Sequence, residues 1–405
     1  MLTKIIAFSL ALIPFYCWLG WDEGIRTPKE TASIISLALI IIVGFSTPIK
    51  KAFNKWFFVF FGWCVLTLFL SNYLIPVYLQ NGIVSLPSNL IAFKSLLYTL
   101  LAIISIQAIY SAQVDLKLIS KTISIVMLVM CGYCLLQLLG LDEWFRIADP
   151  GTGWTGGSIW DNLITNTVNP INFGHFSRRI VGTLGNPSIL GIFLSLCLPF
   201  SLSLKNKLGY VSAICSIIMI FLTLSLTAII SCILSILFIL FFKNQRLAVI
   251  LFIILAIAGV SVLQIPQVKF MINPTGRIEM LKESFNLINK KAITGYGLGS
   301  FQYLIGQNPE IVRRLHNENW REMHFEYGQA WFETGLVGLI LLLMGIFAIG
   351  NGFIKNIREE TVYLMASFLV FLLVCVTYFP MRISPLSYYG VIILGLLTNK
   401  IGDVK

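Results

Sequence analysis

The strongest constraint on this chain is a series of long apolar runs, many of them 16 to 22 residues in length. Such a run can cross a hydrocarbon core of about 30 Å. Within lipid, only helices and closed barrels satisfy every backbone polar group. The runs are continuous rather than alternating, which selects helices over barrel strands. Twelve spans are predicted, at roughly 4–21, 31–47, 56–75, 90–110, 121–141, 183–204, 208–224, 226–242, 247–263, 331–350, 361–379 and 386–399. The seventh and eighth meet at "TLSLTA" (Thr223–Ala228) with no charge between them. No small-residue cleavage site follows the first run, so it reads as an anchor rather than a removed signal. Composition agrees. Only 12% of residues are charged and 57% are hydrophobic, against about 25% charged in soluble domains.

The expected fold is therefore all-α: a polytopic membrane helical bundle of about 12 transmembrane helices, with an amphipathic helix in a long loop. The expected organisation is 1–141 for the first five helices and 142–182 for a first long loop. Residues 183–263 hold helices six to nine, 264–330 a second, larger loop, and 331–405 the last three helices and a tail.

The net charge of +11 invites a nucleic-acid reading, but its distribution argues for a membrane. Alternate loops differ in charge. One set carries 14 basic residues against four acids, and the other 14 of each, with Lys94 alone inside a span. A one-sided excess is the positive-inside pattern. It places both termini in the cytoplasm and both long loops outside it. All eight cysteines fall within spans. Cys131-x-x-Cys134 has the spacing of a metal or redox pair, yet lies in an apolar helix without further ligands, where buried small hydrophobes are the simpler reading.

All three histidines, His175, His316 and His324, lie in the two long loops. A transporter would be expected to carry ionisable groups at membrane depth. Here Lys94 is the one candidate, and it is close enough to a span end to snorkel. Polar groups gathered above the helices fit an enzyme that meets a lipid-borne substrate at the membrane surface.

Three stretches hold the candidate chemistry. In "RRIVGTLGNPSILG", Arg178 and Arg179 precede a glycine-rich turn, and Asn186 can cap the helix that Pro187 begins. These arginines could equally touch lipid headgroups. In "TGRIEMLKESFNLI", Ile278, Leu281, Phe285 and Ile288 form an apolar face suited to lying on a membrane. Asn273 or Thr275 can cap that helix. Arg277 then falls in its first turn, where the dipole disfavours a cation unless an anion binds there. A solvated arginine is the alternative. "GYGLGSF" (Gly295–Phe301) lacks the strand and spacing of a dinucleotide fingerprint and reads as a tight turn. The third stretch is "HFEYGQAWFETGLVGLILLL", from His324 to Leu343. On a regular helix Gly328, Gly335 and Gly338 stay within about 40° of the direction of His324, a small-residue face for a neighbouring helix. His324 is then a rim histidine, functional or merely interfacial. His316 in "RRLHNENW" reads as a solvated loop residue, and His175 as a supporting one. Arg382, in "PMRISP", is either a third phosphate contact or a lipid-headgroup anchor. Glu333 faces away from His324 on a regular helix.

The third stretch resembles the signature of the O-antigen ligase and O-antigen polymerase superfamily: His, usually Asn, nine residues, Gly, two residues, Gly. Here it reads His324, Phe325, nine residues, Gly335, two residues, Gly338, with Phe325 in place of Asn. "RRIVGTLGNPSILG" and "TGRIEM" are similar to the family's arginine-bearing segments, in the same order. The resemblance covers about residues 175–345. It implies a GT-C-like membrane glycosyltransferase in the bacterial cytoplasmic (inner) membrane, with an extracytoplasmic active site. The donor would be an oligosaccharide on undecaprenyl diphosphate, and the acceptor a glycan, lipid A core or protein. Arg179 and Arg277 would bind the diphosphate and His324 would act at the acceptor. Arg178, Asn186, His175, His316 and Arg382 would be possible support. No cofactor or metal and no nucleic-acid partner is expected. A lipid-linked glycan transporter is the alternative of a different class.

Overall fold

The computed structural model describes residues 1–15, 27–46, 54–70, 88–139, 180–263, 277–306, 308, 311, 320 and 322–402. His175, Arg178, Arg179 and His316 lie outside the described residues. So do the expected caps Asn273 and Thr275.

The long helices are α1 (Leu2–Leu12), α2 (Thr27–Gly44), α3 (Lys55–Leu70), α4 (Ser88–Ser111) and α5 (Leu116–Leu138), followed by α6 (Pro187–Ser203), α7 (Lys207–Leu222), α8 (Leu226–Lys243) and α9 (Gln245–Leu263). Then come the loop helix α10 (Arg277–Ile288), α11 (Glu326–Lys355), α12 (Glu359–Thr377) and α13 (Ser384–Gly402). Strands are absent among the described residues. Each of the twelve apolar runs overlaps one of these helices. Five helices among the described residues are long and apolar enough to cross a membrane: those within α4, α5, α8, α11 and α12.

Helix α6 is the centre of the bundle. It packs against α5, α7, α8 and α12, and Phe193, Leu194, Leu196 and Cys197 are wholly buried. Its start is set by local chemistry. Asn186 accepts from the amides of Ser188 (2.8 Å) and Ile189 (3.3 Å), with Pro187 next. Gly182 and Gly185 take positive φ values of 57° and 70° in the turn before it. A second neighbourhood joins α2, α3, α4, α11 and α13. The outward faces remain apolar. On α9, Ile250, Phe252 and Ile254 are each 55% exposed, the reverse of a water-facing helix and the arrangement lipid requires. Thr223, between α7 and α8, makes the turn at "TLSLTA" by ending α7. The seven described cysteines are free. Cys131 meets only the Ser216 hydroxyl, at 3.7 Å, as a small buried side chain would.

Two local expectations need correction. The apolar stripe of α10 is rotated. Met280, Ser284 and Ile288 are its buried residues, whereas Ile278 is 45% exposed. The stripe packs into a small separate core with Tyr296, Phe301, Trp320, Met323 and Phe332, and the expected Leu281, Phe285 and Ile288 join it there. At about 100° per residue, Ser284 and Ile288 stand within about 20° of Arg277, so packing this stripe turns the arginine inward.

The glycine face is the second correction. Helix α11 has 30 residues, about 45 Å at 1.5 Å each, longer than a hydrocarbon core. It is broken at Gly335, with φ 69° and ψ −179°. The 20 residues after the break span about 30 Å, leaving the first two turns as a polar rim. What meets Gly335 is the turn from Ile293, not a helix. A Cβ there would lie 2.0 Å from the Ile293 carbonyl oxygen. Gly328 is met by Phe325 and Met323 of the preceding segment. Of the three glycines, Gly338 is the one approached by another helix, through Trp63 of α3.

The break frees three successive carbonyls, and each finds a donor. Phe332 accepts from the Tyr296 amide (2.9 Å), Glu333 from the Gly297 amide (2.8 Å) and Thr334 from the Trp63 indole (2.7 Å). The Leu336 amide donates to the Ala292 carbonyl at 2.8 Å. Gly295, Gly297 and Gly299, all at positive φ, make the turn that fits this notch. The loop that carries Arg277 is thereby fastened to the helix that follows His324.

Candidate functional site

His324 does not stand on α11. The helix begins at Glu326 with Phe325 as its N-cap. His324 precedes it in the left-handed region, at φ 54°, a conformation that costs a non-glycine residue about 1 kcal/mol or more. The ring sits edge-on among Trp320, Tyr378 and Phe379, with centroids 5.2, 5.7 and 4.6 Å away. Its Nδ1 is 3.1 Å from the Glu322 carbonyl oxygen. A carbonyl can only accept, so Nδ1 carries the hydrogen and Nε2 keeps a free lone pair. Burial, and then the charge of Arg277, push the imidazole pKa down to about 4, against the smaller opposing pull of the Glu322 hydrogen bond. The ring is therefore neutral at physiological pH.

Arg277 opens α10, near enough for its charge to act on this ring. Its guanidinium is half-buried, and burial lowers its pKa from the usual arginine value. Among the described residues it forms no ion pair, and its Nε–H is buried without an acceptor. The Trp320 indole N–H, beside His324, is likewise buried and unpaired. Two unmatched donors next to a neutral imidazole suit a ligand rich in acceptor oxygens, with the helix N-terminus reinforcing the preference for an anion.

Arg382 has a different environment. Its Nε is 3.2 Å from both Glu322 Oε2 and Glu326 Oε1, and its Nη2 is 2.9 Å from Glu333 Oε2. Gln329 Nε2 donates to Glu322 Oε2 (2.7 Å) and Glu333 Oε1 (3.1 Å). Burial works to lower the Arg382 pKa, but the three carboxylates outweigh it and raise the pKa. This corrects both expectations for Arg382: it is neither a lipid-headgroup anchor nor a free phosphate contact, because carboxylates already neutralise it. Glu333 shares this network. Glu326, Gln329 and Glu333 at i, i+3 and i+7 make one polar face on the first turns of α11. That spacing was visible in the sequence; its partner, 49 to 56 residues further on, was not. No group of three or more His, Cys, Asp or Glu side chains suited to a metal occurs among the described residues.

The charge of Arg277 thus acts on His324, and Arg382 goes to the adjoining carboxylates. The structure leaves Asn186 as a helix cap. Fold and site together define an all-helical membrane protein with a cation and a neutral imidazole gathered where the second long loop meets α11. A family model described as O-antigen ligase matches residues 211–343, from α7 through Arg277 and His324 into the span of α11. Over that segment the chain is similar to the O-antigen ligase family, which supports a glycan-transfer reading in general terms. The match begins after Arg179 and Asn186 and ends before Arg382. No curated protein matches the chain.

Proposed function

We propose that this protein transfers glycan from an undecaprenyl-diphosphate-linked donor to an acceptor hydroxyl at the extracytoplasmic face of the bacterial cytoplasmic membrane, with both termini in the cytoplasm. The observation that carries this reading is the pairing of an uncompensated Arg277 with a His324 whose Nε2 is free to accept a proton. Arg277, together with Arg179 from the first long loop, holds the diphosphate. Guanidinium groups match phosphate oxygens in a fixed fork and stay charged at any working pH. The acceptor oxygen attacks C1 of the donor sugar and its proton passes to His324 Nε2. The C1–O bond to the diphosphate breaks, and the diphosphate leaves with the electron pair. One displacement inverts the anomeric centre. Preorganised donors on the leaving group contribute roughly 3–4 kcal/mol each in a water-poor site, and the base typically contributes ~10²–10⁴-fold. Diphosphate is a good leaving group without a metal ion.

The electrostatics couple the two residues. Before the donor arrives, the Arg277 charge helps to hold His324 neutral. A bound diphosphate offsets that charge and raises the basicity of the ring, so the base strengthens when there is substrate to act on.

Ligation to lipid A core, polymerisation of repeat units and protein O-glycosylation share this chemistry and differ in the acceptor. A lipid-linked glycan transporter, the reading of a different class, calls for charge in a central cavity; the observed Arg277–His324 pair at the loop end of α11 supports transfer instead. The test is turnover of a lipid-linked oligosaccharide by purified protein. His324→Ala should abolish transfer and retain donor binding. Full activity in that variant overturns the assignment.

A further inference from the structure

We infer that Arg382, Glu322 and Gln329 form a clamp that fixes the tautomer and aim of the His324 ring, which makes them positioning residues for transfer. This rests on the reading of His324 as the base. The Glu322 carboxylate is gripped from two sides, by Arg382 Nε at 3.2 Å and Gln329 Nε2 at 2.7 Å. Gln329 Oε1 accepts the Met323 amide hydrogen at 2.9 Å. Both residues before His324 are thus held, one by its side chain and one by its backbone, and Met323 is wholly buried. The carbonyl between these two grips is the one that accepts Nδ1–H of His324.

Gln329 is 1% exposed, and both its amide oxygen and nitrogen are engaged in the clamp. Arg382 ties the clamp to the opposite wall. It ends the Pro380–Arg382 turn directly after Tyr378 and Phe379, whose stacked rings meet the imidazole edge-on. One short segment therefore supplies both an aromatic wall and the cation. The left-handed backbone at His324 converts the fixed direction of the clamp into the direction of the ring. Without the grip on Glu322, its carbonyl swings away and the imidazole can place its hydrogen on Nε2, where it can no longer take a proton from the acceptor. Among the described residues the clamp's ion pairs and hydrogen bonds do not include Arg277, so donor binding should be spared.

The experiment is nitrogen-15 NMR of histidine-labelled protein in nanodiscs, with the His324 resonances assigned by their loss in His324→Gln, alongside steady-state kinetics. Wild type should show hydrogen on Nδ1 alone. Glu322→Ala and Gln329→Met should show a mixture of tautomers and a kcat lower by roughly 10- to 100-fold, with the donor KM unchanged. Glu322→Gln, which keeps an acceptor for Arg382, should restore the single tautomer and most of kcat. An Nε2–H tautomer in wild type overturns the inference, as does an unchanged tautomer and kcat in both disruptive variants. Either result leaves the role of His324 to its own test: the alanine variant's turnover fails or survives independently of the clamp.

Discussion

Arg277 and Arg382 flank the same histidine segment in opposite circumstances. Arg382 faces three carboxylates, two of which also accept from Gln329. Arg277 has no ion pair among the described residues, and its Nε–H lacks an acceptor. A buried cation is tolerated when it is paired and costs stability when it is not. The difference separates a structural arginine from one held ready for an anion. The Arg382 network locks the end of α11 to the turn after α12. The Arg277 side leaves an unmet demand for negative charge beside a neutral imidazole.

The largest test of this contrast is the loss of Arg382. Arg382→Met strands three carboxylates, so we expect destabilisation of roughly 3–5 kcal/mol, measured by denaturation in detergent. A variant as stable as wild type would remove the structural half of the contrast. Arg277→Met should do the opposite, leaving the folded protein at least as stable while turnover falls by roughly 10²–10³-fold. Unfolding on loss of Arg277, with no specific loss of turnover, would make the two arginines alike.

The pH dependence sharpens the comparison further. A base acts when unprotonated, and the free protein holds His324 at a pKa of about 4. The acid limb of kcat/KM reports the free enzyme, so it should stay flat from neutral pH downward and fall only near that value. The limb of kcat should lie higher, because bound diphosphate offsets Arg277. In Arg277→Met the kcat/KM limb should also move up, towards about 6.5, the ordinary histidine value. A limb that ignores Arg277 would break the electrostatic link. The smallest effect is expected from Glu326→Gln. Burial already favours the neutral form of this carboxyl and the variant keeps the acceptor oxygen, so stability should change by no more than about 1 kcal/mol. A loss as large as that of Arg382→Met would show that every carboxylate is required.

Particular residues show how much of this was legible. Run length and continuity predicted helices wherever α1 to α9 and α11 to α13 form. The Asn186–Pro187 order predicted the start of α6, and the glycines of "GYGLGSF" a turn. The spacing from His324 to Gly335 and Gly338 pointed to the family segment. The same spacing misled on geometry, because a regular helix was assumed through Gly335. Of the expected stripe of α10, Leu281, Phe285 and Ile288 pack against the loop core and Ile278 does not, because Met280 and Ser284 centre the buried face.

The sequence by itself determined that this chain forms apolar helices and that its polar chemistry lies in the loops. Those properties depend on local backbone bonding and on transfer from water to lipid, and both are written in consecutive residues. Tertiary structure decided which arginine is neutralised, where α11 breaks and which nitrogen of His324 is bare. Each depends on partners tens of residues apart, for which an unfolded chain carries no record of distance.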